Sequence, residues 1–464
     1  MTATDLPVEA PEEGGARQRA VLLLACLGQF LVVLDVSIVN VALPAVRADL
    51  GFGATGLQWV VNAYALTFAG FLLLGGRAAD LFGRKRVYLA GLALFALASL
   101  GGGLATTPGT LIAARSLQGV GAAILSPATL TLLATAFRDP AARTRAVALW
   151  SAAGASAGAV GSALGGLLTE YLSWRWVLLI NVPVGAVVFA AALRLLTEEA
   201  APAARRLDVT GAVLVTAGFG AVAYGTARTH EHGWASADAL GPMLAGLLAL
   251  LLFLLVEGRF AREPLMPLGL FRSRAVSTAT ATMMLVGAAF FAMWYFLSLY
   301  MQTVLGYSAV EAGLGFLPHT VAIVVGARSA PALMRSFGPR AVLAAGALLA
   351  AAGFLWQSRI GAGSGYPAGI LGPAVVMCLG SGLTFTPVAA VATGAAAPGE
   401  AGLVSGVINT GRQVGGSLGL AALATIAAAP ADPLTGYRHA FAVSAVLMLL
   451  VAALAVLVPR GEKG

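Results

Sequence analysis

Residues 76–87 read Gly76-Arg77-Ala78-Ala79-Asp80-Leu81-Phe82-Gly83-Arg84-Lys85-Arg86-Val87, and five of these twelve side chains are charged. Long apolar runs flank the segment on both sides, so its charges interrupt sequence that otherwise tolerates none. In a chain of this pattern such a segment lies at the face of a membrane, where lysine and arginine collect on one side. Its glycines allow tight turns and close approach of helices. The segment therefore predicts a short loop between two membrane-spanning helices, and an ordinary basic loop is the alternative to a specialised one.

The composition of the chain agrees with a membrane protein. Hydrophobic residues make up 59% of the 464 residues and charged residues only 10%, well below the roughly 25% of soluble domains. The net charge of +8 is spread over short loops between apolar runs, which argues against a continuous basic surface for nucleic acid. We therefore expect the lipid bilayer as a partner and no nucleic acid.

Residue types that carry enzyme, metal or ATP chemistry are few and scattered. The two cysteines, Cys26 and Cys378, lie within apolar runs and fit small buried hydrophobes better than a disulfide or a metal pair. The four histidines do not cluster, and no Gly-x-x-x-x-Gly-Lys-Ser/Thr segment for nucleotide phosphates is present. We expect no cofactor, no metal and no catalytic residue, and a membrane enzyme is the weakest interpretation.

Fourteen apolar segments are long enough to cross a bilayer, which takes about 20 residues of helix. They are 20–43, 57–76, 87–106, 110–136, 146–168, 175–196, 209–228, 239–257, 275–301, 311–334, 341–358, 367–391, 402–428 and 439–459. An even number of spans places both termini on one side. The loops and tails of that side carry 20 of the 28 lysines and arginines, against 5 in the opposite loops and 3 within spans. This bias predicts a multi-pass protein of the cytoplasmic (inner) membrane with both termini in the cytoplasm.

Two landmarks recur at nearly the same spacing along the chain. Phe82-Gly83 is echoed by Phe337-Gly338, 255 residues later, and Gly161 in the fifth span is echoed by Gly415, 254 residues later. Such spacing predicts duplicated six-helix halves with a substrate site between them. The predicted organisation is a tail at 1–19, a first bundle at 20–196, two inserted helices at 209–257, a second bundle at 275–459 and a tail at 460–464.

Several further segments carry a family resemblance. They are LDVSIVNVALP at 34–44, RSLQGVGAA at 115–123, WRW at 174–176, INVPVG at 180–185, YMQ at 300–302, LGYS at 305–308 and RQVGG at 412–416. Together with the loop at 76–87, their order and spacing resemble the fourteen-helix drug:proton antiporter family of the major facilitator superfamily. The resemblance covers nearly the whole chain. It implies an all-α membrane protein in which two pseudo-symmetric six-helix bundles and two inserted helices make 14 transmembrane helices.

The resemblance also implies residues that control conformation. In the basic loop they are Gly76, Asp80, Gly83, Arg84 and Arg86. The acid of this loop is implied to contact the other half of the molecule and to lose that contact when the inner gate opens.

A second group of conformational residues lies in the fifth span, at Gly161, Gly165 and Gly166. Small residues at this spacing permit close helix packing, and plain packing is their alternative role. Ser162 stands where the family pattern has proline. This departure removes one source of helix kinking.

Asp35 and Arg115 are the predicted proton-coupling residues. Asp35 lies about 15 residues into the first span, roughly 23 Å along a helix, and is the only acid clearly inside a predicted span. A carboxylate within the bilayer must pair, face water or take a proton. Arg115 keeps its charge and can only modulate a neighbour; we expect it in the cytoplasmic-to-middle part of the fourth span. The alternatives are a static ion pair for Asp35 and a clamp on backbone carbonyls for Arg115.

Polar and aromatic residues inside the spans are candidates for a substrate cavity. They are Gln29, Asn40, Gln118, Phe290, Trp294 and Asn409. Packing hydrogen bonds explain the amide side chains equally well, and a lipid-facing surface explains the aromatic ones. Arg412 has no acid nearby in sequence, and we expect it to have a structural role rather than a ligand-binding one.

The resemblance and the intramembrane acid favour a proton-coupled secondary transporter. It would export small amphipathic or lipophilic compounds, such as drugs or antibiotics, by alternating access. Its partners would be a small-molecule substrate, protons and the lipid bilayer, and we expect a monomer. Export of a single self-made metabolite or lipid is the alternative transport function. Duplicated halves and an intramembrane acid argue against a channel or a receptor.

Overall fold

The computed structural model describes residues 11–53, 55–137, 139–197, 207–261, 264–397 and 400–458. Within these ranges, the side chains at positions 11–14, 16, 80 and 140 lie outside the description. The described chain contains helices and no strand. Helices satisfy their own backbone polar groups, which a chain in lipid requires. The predicted all-α fold class is confirmed.

Seven helices form the first part of the chain. They are α1 (Pro11–Leu50), α2 (Trp59–Phe82), α3 (Arg84–Gly103), α4 (Pro108–Ala136), α5 (Pro140–Tyr171), α6 (Trp176–Leu179) and α7 (Asn181–Leu195). α1 begins inside the segment 1–19 that was predicted as a tail. The sixth predicted span is divided at Ile180 into α6 and α7. Thr107 and Thr110 form a capping box that fixes the start of α4.

Eight further helices follow. They are α8 (Val209–His232), α9 (Ala237–Leu255), α10 (Arg274–Leu299), α11 (Ala309–Gly315), α12 (Leu317–Gln357), α13 (Gly372–Gly394), α14 (Ala401–Ala428) and α15 (Pro433–Leu454). π-Helical turns extend α9 over Val256–Phe260 and α10 over Tyr300–Val304, and another, Pro367–Leu371, precedes α13. Short 3-10 turns lie at Leu268–Arg272 and Ala455–Leu457.

Twelve segments of the described chain are long and apolar enough to cross a membrane. The segment Ala309–Gln357 contains the predicted span 311–334 and all but the last residue of the predicted span 341–358, as one bent element. α14, with 28 residues, corresponds to the predicted span 402–428 but is not among the twelve. The protein is therefore multi-pass, and the count of fourteen spans stays a prediction.

The bend in α12 matches the break between α2 and α3. Gly83 separates α2 from α3 with φ 90° and ψ 137°, and Gly338 interrupts α12 with φ 79° and ψ 159°. These dihedral angles are open to glycine and strained for other residues. The two Phe-Gly landmarks thus share one backbone conformation, which supports the internal repeat.

The helices define two ends of the bundle. We call the end at which α1 begins the near end and the opposite end the far end. Because successive long helices run in opposite directions, the α2–α3 junction lies at the near end and the α1–α2 connection at the far end.

At the far end, the helices before and after the inserted pair contact each other directly. The Ser298 hydroxyl of α10 donates to the carbonyl oxygen of Asn40 at 2.7 Å. The Gln302 amide donates to the carbonyl oxygen of Val41 at 2.9 Å. These bonds join α10, in the second part of the chain, to α1, in the first part.

The inserted helices α8 and α9 pack on the outside of this arrangement. The Tyr224 ring of α8 lies 6.2 Å from the Trp59 ring of α2, between centroids. The Thr425 hydroxyl of α14 donates to the carbonyl oxygen of Thr226 at 3.2 Å. α8 thus contacts a helix from each part of the chain, while α9 presents exposed leucines such as Leu244 and Leu251.

Candidate functional site

The most buried charged pair in the described chain joins α1 to α4. Arg115 Nη1 lies 2.5 Å from Asp35 Oδ2, and the exposed fractions of the two side chains are 2% and 0%. A second contact anchors the arginine, because its Nε donates to the carbonyl oxygen of Val60 at 3.0 Å. The structure therefore brings together the two residues that were predicted to couple protons.

Three polar side chains complete the surroundings of the carboxylate. Gln118 Nε2 donates to Asp35 Oδ1 at 2.6 Å, and Asn181 Nδ2 donates to the same oxygen at 3.0 Å. Gln118 also donates to the Ser99 hydroxyl at 2.6 Å. Four helices, α1, α3, α4 and α7, therefore supply this network. Such a network offsets the high cost of an unpaired charge in a low-dielectric interior.

The depth predicted for Arg115 does not agree with the prediction that both termini are cytoplasmic. The arginine was expected in the cytoplasmic-to-middle part of its span, but α4 begins at Pro108, so Arg115 lies within two turns of the far end. Only this position brings Arg115 level with Asp35, which lies in the half of α1 toward the far end.

Two members of the network were not selected from sequence, Asn181 and Ser99. Asn181 does lie in INVPVG, one of the segments that carry the family resemblance, and a polar residue in an otherwise apolar run is a usable signal there. Ser99 lies in an ordinary apolar run, and small hydroxyl residues are common in such helices, so the sequence contains no comparable signal for it.

A large cavity lies between the helices next to this network. Its volume is about 960 Å³, and it is lined from mid-bundle, at Val36 and Phe291, to the near end, at Arg77 and Pro264. Residues of both parts of the chain line it, among them Gln29 and Asn409, as predicted for a cavity between the halves. Its walls are mostly apolar, as is typical of sites for small organic ligands.

A smaller cavity of about 180 Å³ lies farther from the near end. Asn40, Phe290 and Trp294, three of the predicted cavity residues, line it. Trp294 also packs against Phe316, with ring centroids 4.7 Å apart, so this aromatic group faces the protein interior. Gln118 lines neither of these two cavities and lies instead in the network of Asp35.

Tyr64 connects the network to the large cavity. It lines that cavity, and the guanidinium carbon of Arg115 lies 4.5 Å from the centroid of its ring. This distance is typical of a cation–π contact. One aromatic ring therefore lies between the buried pair and the space open to a ligand, and Tyr64 is a further site residue that the sequence did not indicate.

The glycines predicted to control conformation lie at close helix contacts. A methyl group on Gly161 would meet the Ser37 hydroxyl of α1, and one on Gly165 would lie 2.7 Å from the carbonyl oxygen of Ile38. A methyl group on Gly166 would lie 2.5 Å from the carbonyl oxygen of Ala309, at the start of α11. α5 thus packs closely against α1 and, at the far end, against the second part of the chain.

The basic loop lies at the near end, next to the large cavity. Gly76 lines the cavity, and Gly83 forms the break between helices. Arg84 and Arg86 lie in the first turn of α3. The side chain of Asp80 lies outside the described residues, so its implied contact stays a prediction.

A second buried acid lies near the mouth of the large cavity. Glu257 is 5% exposed and accepts the backbone N–H groups of Leu265 and Met266 at 3.2 and 3.3 Å. Since it falls within the candidate span that ends at Phe260, Asp35 is not the only acid inside a span. Glu257 fixes the loop that places Leu265 in the cavity wall. In the described part of the chain, no group of three or more His, Cys, Asp or Glu side chains could hold a metal ion.

A cavity between two helical groups and an intramembrane ion pair are features of a transport protein, and comparison with known families agrees. The sequence model of the Major Facilitator Superfamily matches residues 25–420. The chain belongs to this superfamily. The transporter is therefore a multi-pass membrane protein that moves small molecules, and the expectation of a transporter rather than an enzyme is confirmed.

Two curated relatives and one solved structure add detail. The transporter is 51% identical over 446 residues to the cephamycin export protein CmcT of Amycolatopsis lactamdurans, covering 94% of this chain and 92% of that protein. It is 38% identical to the puromycin resistance protein pur8 of Streptomyces alboniger, covering 95% and 92%. A crystal structure of the peptide transporter POT with sulfate superposes with a TM-score of 0.71 at 16% identity, covering 96% of both chains. The last likeness concerns the fold alone.

Proposed function

We propose that this transporter exports antibiotic-like small molecules from the cytoplasm in exchange for protons. The observation that carries the proposal is the Asp35–Arg115 pair, buried directly behind the Tyr64 wall of a 960 Å³ cavity. The pair offers a group that can take and release a proton, and the cavity offers the space for a small molecule beside it.

The finer architecture belongs to the same proposal. The transporter is a monomer of the fourteen-helix drug:proton antiporter family, with α12 counted as two spans and α14 as one more. Residues 20–196 and 275–459 form the two bundles, with 209–257 inserted between them. Both termini face the cytoplasm, so the near end is the cytoplasmic end of a protein of the inner membrane. The arginine-rich near-end loops support this orientation.

Alternating access follows from the closure of one end at a time. The large cavity reaches the near end, while the bonds from Ser298 and Gln302 and the contact at Gly166 close the far end. This arrangement fits the state that loads substrate from the cytoplasm. The opposite state requires α5 and α1 to separate from α10 and α11, and contacts of the basic loop, including Asp80, then hold the near end closed.

Proton binding acts on the network around Asp35. Protonation removes the charge that pairs with Arg115 Nη1, and the buried guanidinium then needs another acceptor. Gln118, which contacts both Asp35 and Arg115, and Tyr64, which packs on the guanidinium, are the first to respond. Movement of Tyr64 changes the wall of the substrate cavity, which couples the proton to the substrate.

The names of the relatives suggest the substrates. Both names refer to an antibiotic, with export of cephamycin in one and resistance to puromycin in the other. The 51% identity to the cephamycin export protein, over 94% of the chain, favours the second candidate function, a dedicated exporter of one self-made compound. Broad efflux and dedicated export differ in the range of substrates and not in the use of Asp35.

The test is transport by Asp35→Asn in proteoliposomes with an imposed pH gradient. We expect insertion and folding to be retained and gradient-driven uptake of puromycin or of the cephamycin cefoxitin to be lost, since the carboxylate that pairs with Arg115 is gone. Asp238→Asn, at an exposed aspartate at the start of α9, is the matched control. Gradient-driven transport by Asp35→Asn at the wild-type rate would remove Asp35 as the proton carrier.

A further inference from the structure

Arg412 of α14 is a cation on the wall of both cavities. Its hydrogen bonds within the described chain go to a neutral group: Nε and Nη2 lie 3.3 and 3.0 Å from Asn409 Oδ1. Asn409 also lines the large cavity. A guanidinium has five N–H donors, so a single amide oxygen leaves most of its capacity unused.

The charge around Arg412 has one sign. Among the described residues that line the two cavities, none is aspartate or glutamate. Asp35 is paired with Arg115, and the pair lies behind Tyr64. Glu257, near the mouth of the large cavity, accepts two backbone N–H groups and lines neither cavity. The cavity wall at Arg412 is therefore electropositive and suited to an anionic ligand.

The backbone at Arg412 is held firmly. α14 crosses α10 so closely that a methyl group on Gly287 would overlap the Arg412 carbonyl oxygen, and one on Gly415 would overlap that of Met284. Such a crossing fixes where the arginine side chain starts. In a mostly apolar binding site, a charged group held in a fixed position orients the ligand.

We propose that Arg412, together with Asn409, binds a carboxylate group of the exported molecule. The guanidinium donates two parallel hydrogen bonds to the carboxylate, an arrangement for which arginine is better suited than lysine. The apolar part of the ligand packs on the Met283, Phe291 and Phe385 side of the cavity wall. This inference rests on the proposed export function and narrows its substrates to anions and zwitterions. It replaces the structural role expected for Arg412 from sequence.

The experiment measures binding by the full-length transporter in lipid nanodiscs, using isothermal titration. The probes are cefoxitin, which has one carboxylate, and its neutral methyl ester. For the wild type we expect tighter binding of the acid than of the ester. For Arg412→Gln we expect cefoxitin to bind about tenfold to a hundredfold more weakly, the range of a charge-assisted hydrogen bond, with little change for the ester.

Two further variants separate recognition from folding. Arg412→Lys keeps the charge and should keep part of the preference for the acid. Arg328→Gln removes an exposed arginine of α12 that lines neither cavity, and should leave both affinities unchanged. If Arg412→Gln weakens the binding of the acid and of the ester equally, the role of Arg412 is overturned. The same holds if the wild type binds the acid and the ester with equal affinity. A wild type that binds puromycin, which has no carboxylate, but neither probe overturns the role of Arg412 alone. A wild type that binds none of the three contradicts the proposed export of antibiotics as well.

Discussion

At the scale of single residues, the chemistry of this transporter depends on what surrounds one carboxylate. Asp35 accepts hydrogen bonds from Arg115, Gln118 and Asn181, and each donor comes from outside α1. A buried ion pair adds little net stability, because desolvation offsets the attraction, but loss of one partner leaves an uncompensated charge. The pair therefore adds little net stability, which agrees with its proposed role in proton coupling.

A pair of variants tests this view of Arg115. Arg115→Gln should lower the free energy of unfolding by about 3–5 kcal/mol, since it leaves Asp35 without its counter-charge. The double variant Asp35→Asn/Arg115→Gln should recover most of that loss, because both charges are gone. Denaturant titration in detergent micelles gives the measurement.

The control for this cycle is the exposed pair of Asp49 and Arg175, whose charged atoms lie 2.9 Å apart with side chains 47% and 31% exposed. Arg175→Gln should cost much less from loss of this ion pair, about 0–1 kcal/mol, because water screens exposed charges. A double variant no more stable than Arg115→Gln would show that Arg115 acts by packing and not by charge.

At the scale of helices, glycine decides how closely the elements approach. The contact of Gly166 with Ala309 brings α5 against α11 at the far end. Ser162, which stands in place of the expected proline, is buried, and its hydroxyl donates to the carbonyl oxygen of Gly158 at 3.3 Å. α5 therefore runs without interruption from Pro140 to Tyr171. Its position against the neighbouring helices depends on the close contacts of its glycines.

Gly166→Val should prevent closure of the far end. The added side chain would lie within about 3 Å of the Ala309 and Val310 backbone, closer than non-bonded atoms approach, so the far-open state gains population. The readout is labelling of Val61→Cys, a position in the smaller cavity, by a membrane-impermeant maleimide added at the far side, in a background without Cys26 and Cys378.

Gly158→Ala is the matched control for this variant. It lies on the same helix, and nothing is within 4 Å of the added methyl group, so labelling of Val61→Cys should match that of the background protein. Equal labelling in Gly166→Val and in the control would mean that the contact of α5 with α11 does not gate the far end.

At the scale of the whole molecule, the described structure has one open and one closed end. The large cavity reaches the near end, the hydrogen bonds to Asn40 and Val41 close the far end, and α8 bridges α2 and α14 from outside. None of the described residues that line the large cavity comes from 209–257. The inserted pair therefore lies outside the described lining of this cavity, and its peripheral position relative to the substrate path stays a prediction.

The orientation of this open end can be tested directly. Ser405→Cys, in the lining of the large cavity, should be labelled by an impermeant maleimide in inside-out vesicles and protected in right-side-out ones. Leu172→Cys, exposed at the far end of α5, should give the opposite pattern. Reversal of both results would place the termini outside the cytoplasm and contradict the orientation inferred from the basic loops.

Some of the site could be predicted from the sequence, because its signal is local. Asp35 is an acid in an apolar run, and Arg115 is a base in another, so each stands out without any knowledge of the fold. Tyr64 and Ser99 do not stand out, since aromatic and small hydroxyl residues are common in such helices. Their roles arise only from contact with Arg115 and Gln118.

The sequence by itself determined that the chain lies in a lipid bilayer, that its fold is all-α and that its candidate site contains an acid and a base. Apolar length, charge bias and ordered motifs are properties of short segments, and lipid admits few structures for them. Tertiary structure decided which residues meet. Asp35 is 80 residues from Arg115 and 146 from Asn181. The crossing of α14 over α10 places Arg412 on a cavity whose described lining residues include no acid. Such contacts depend on the packing of several helices at once, so no single segment encodes them.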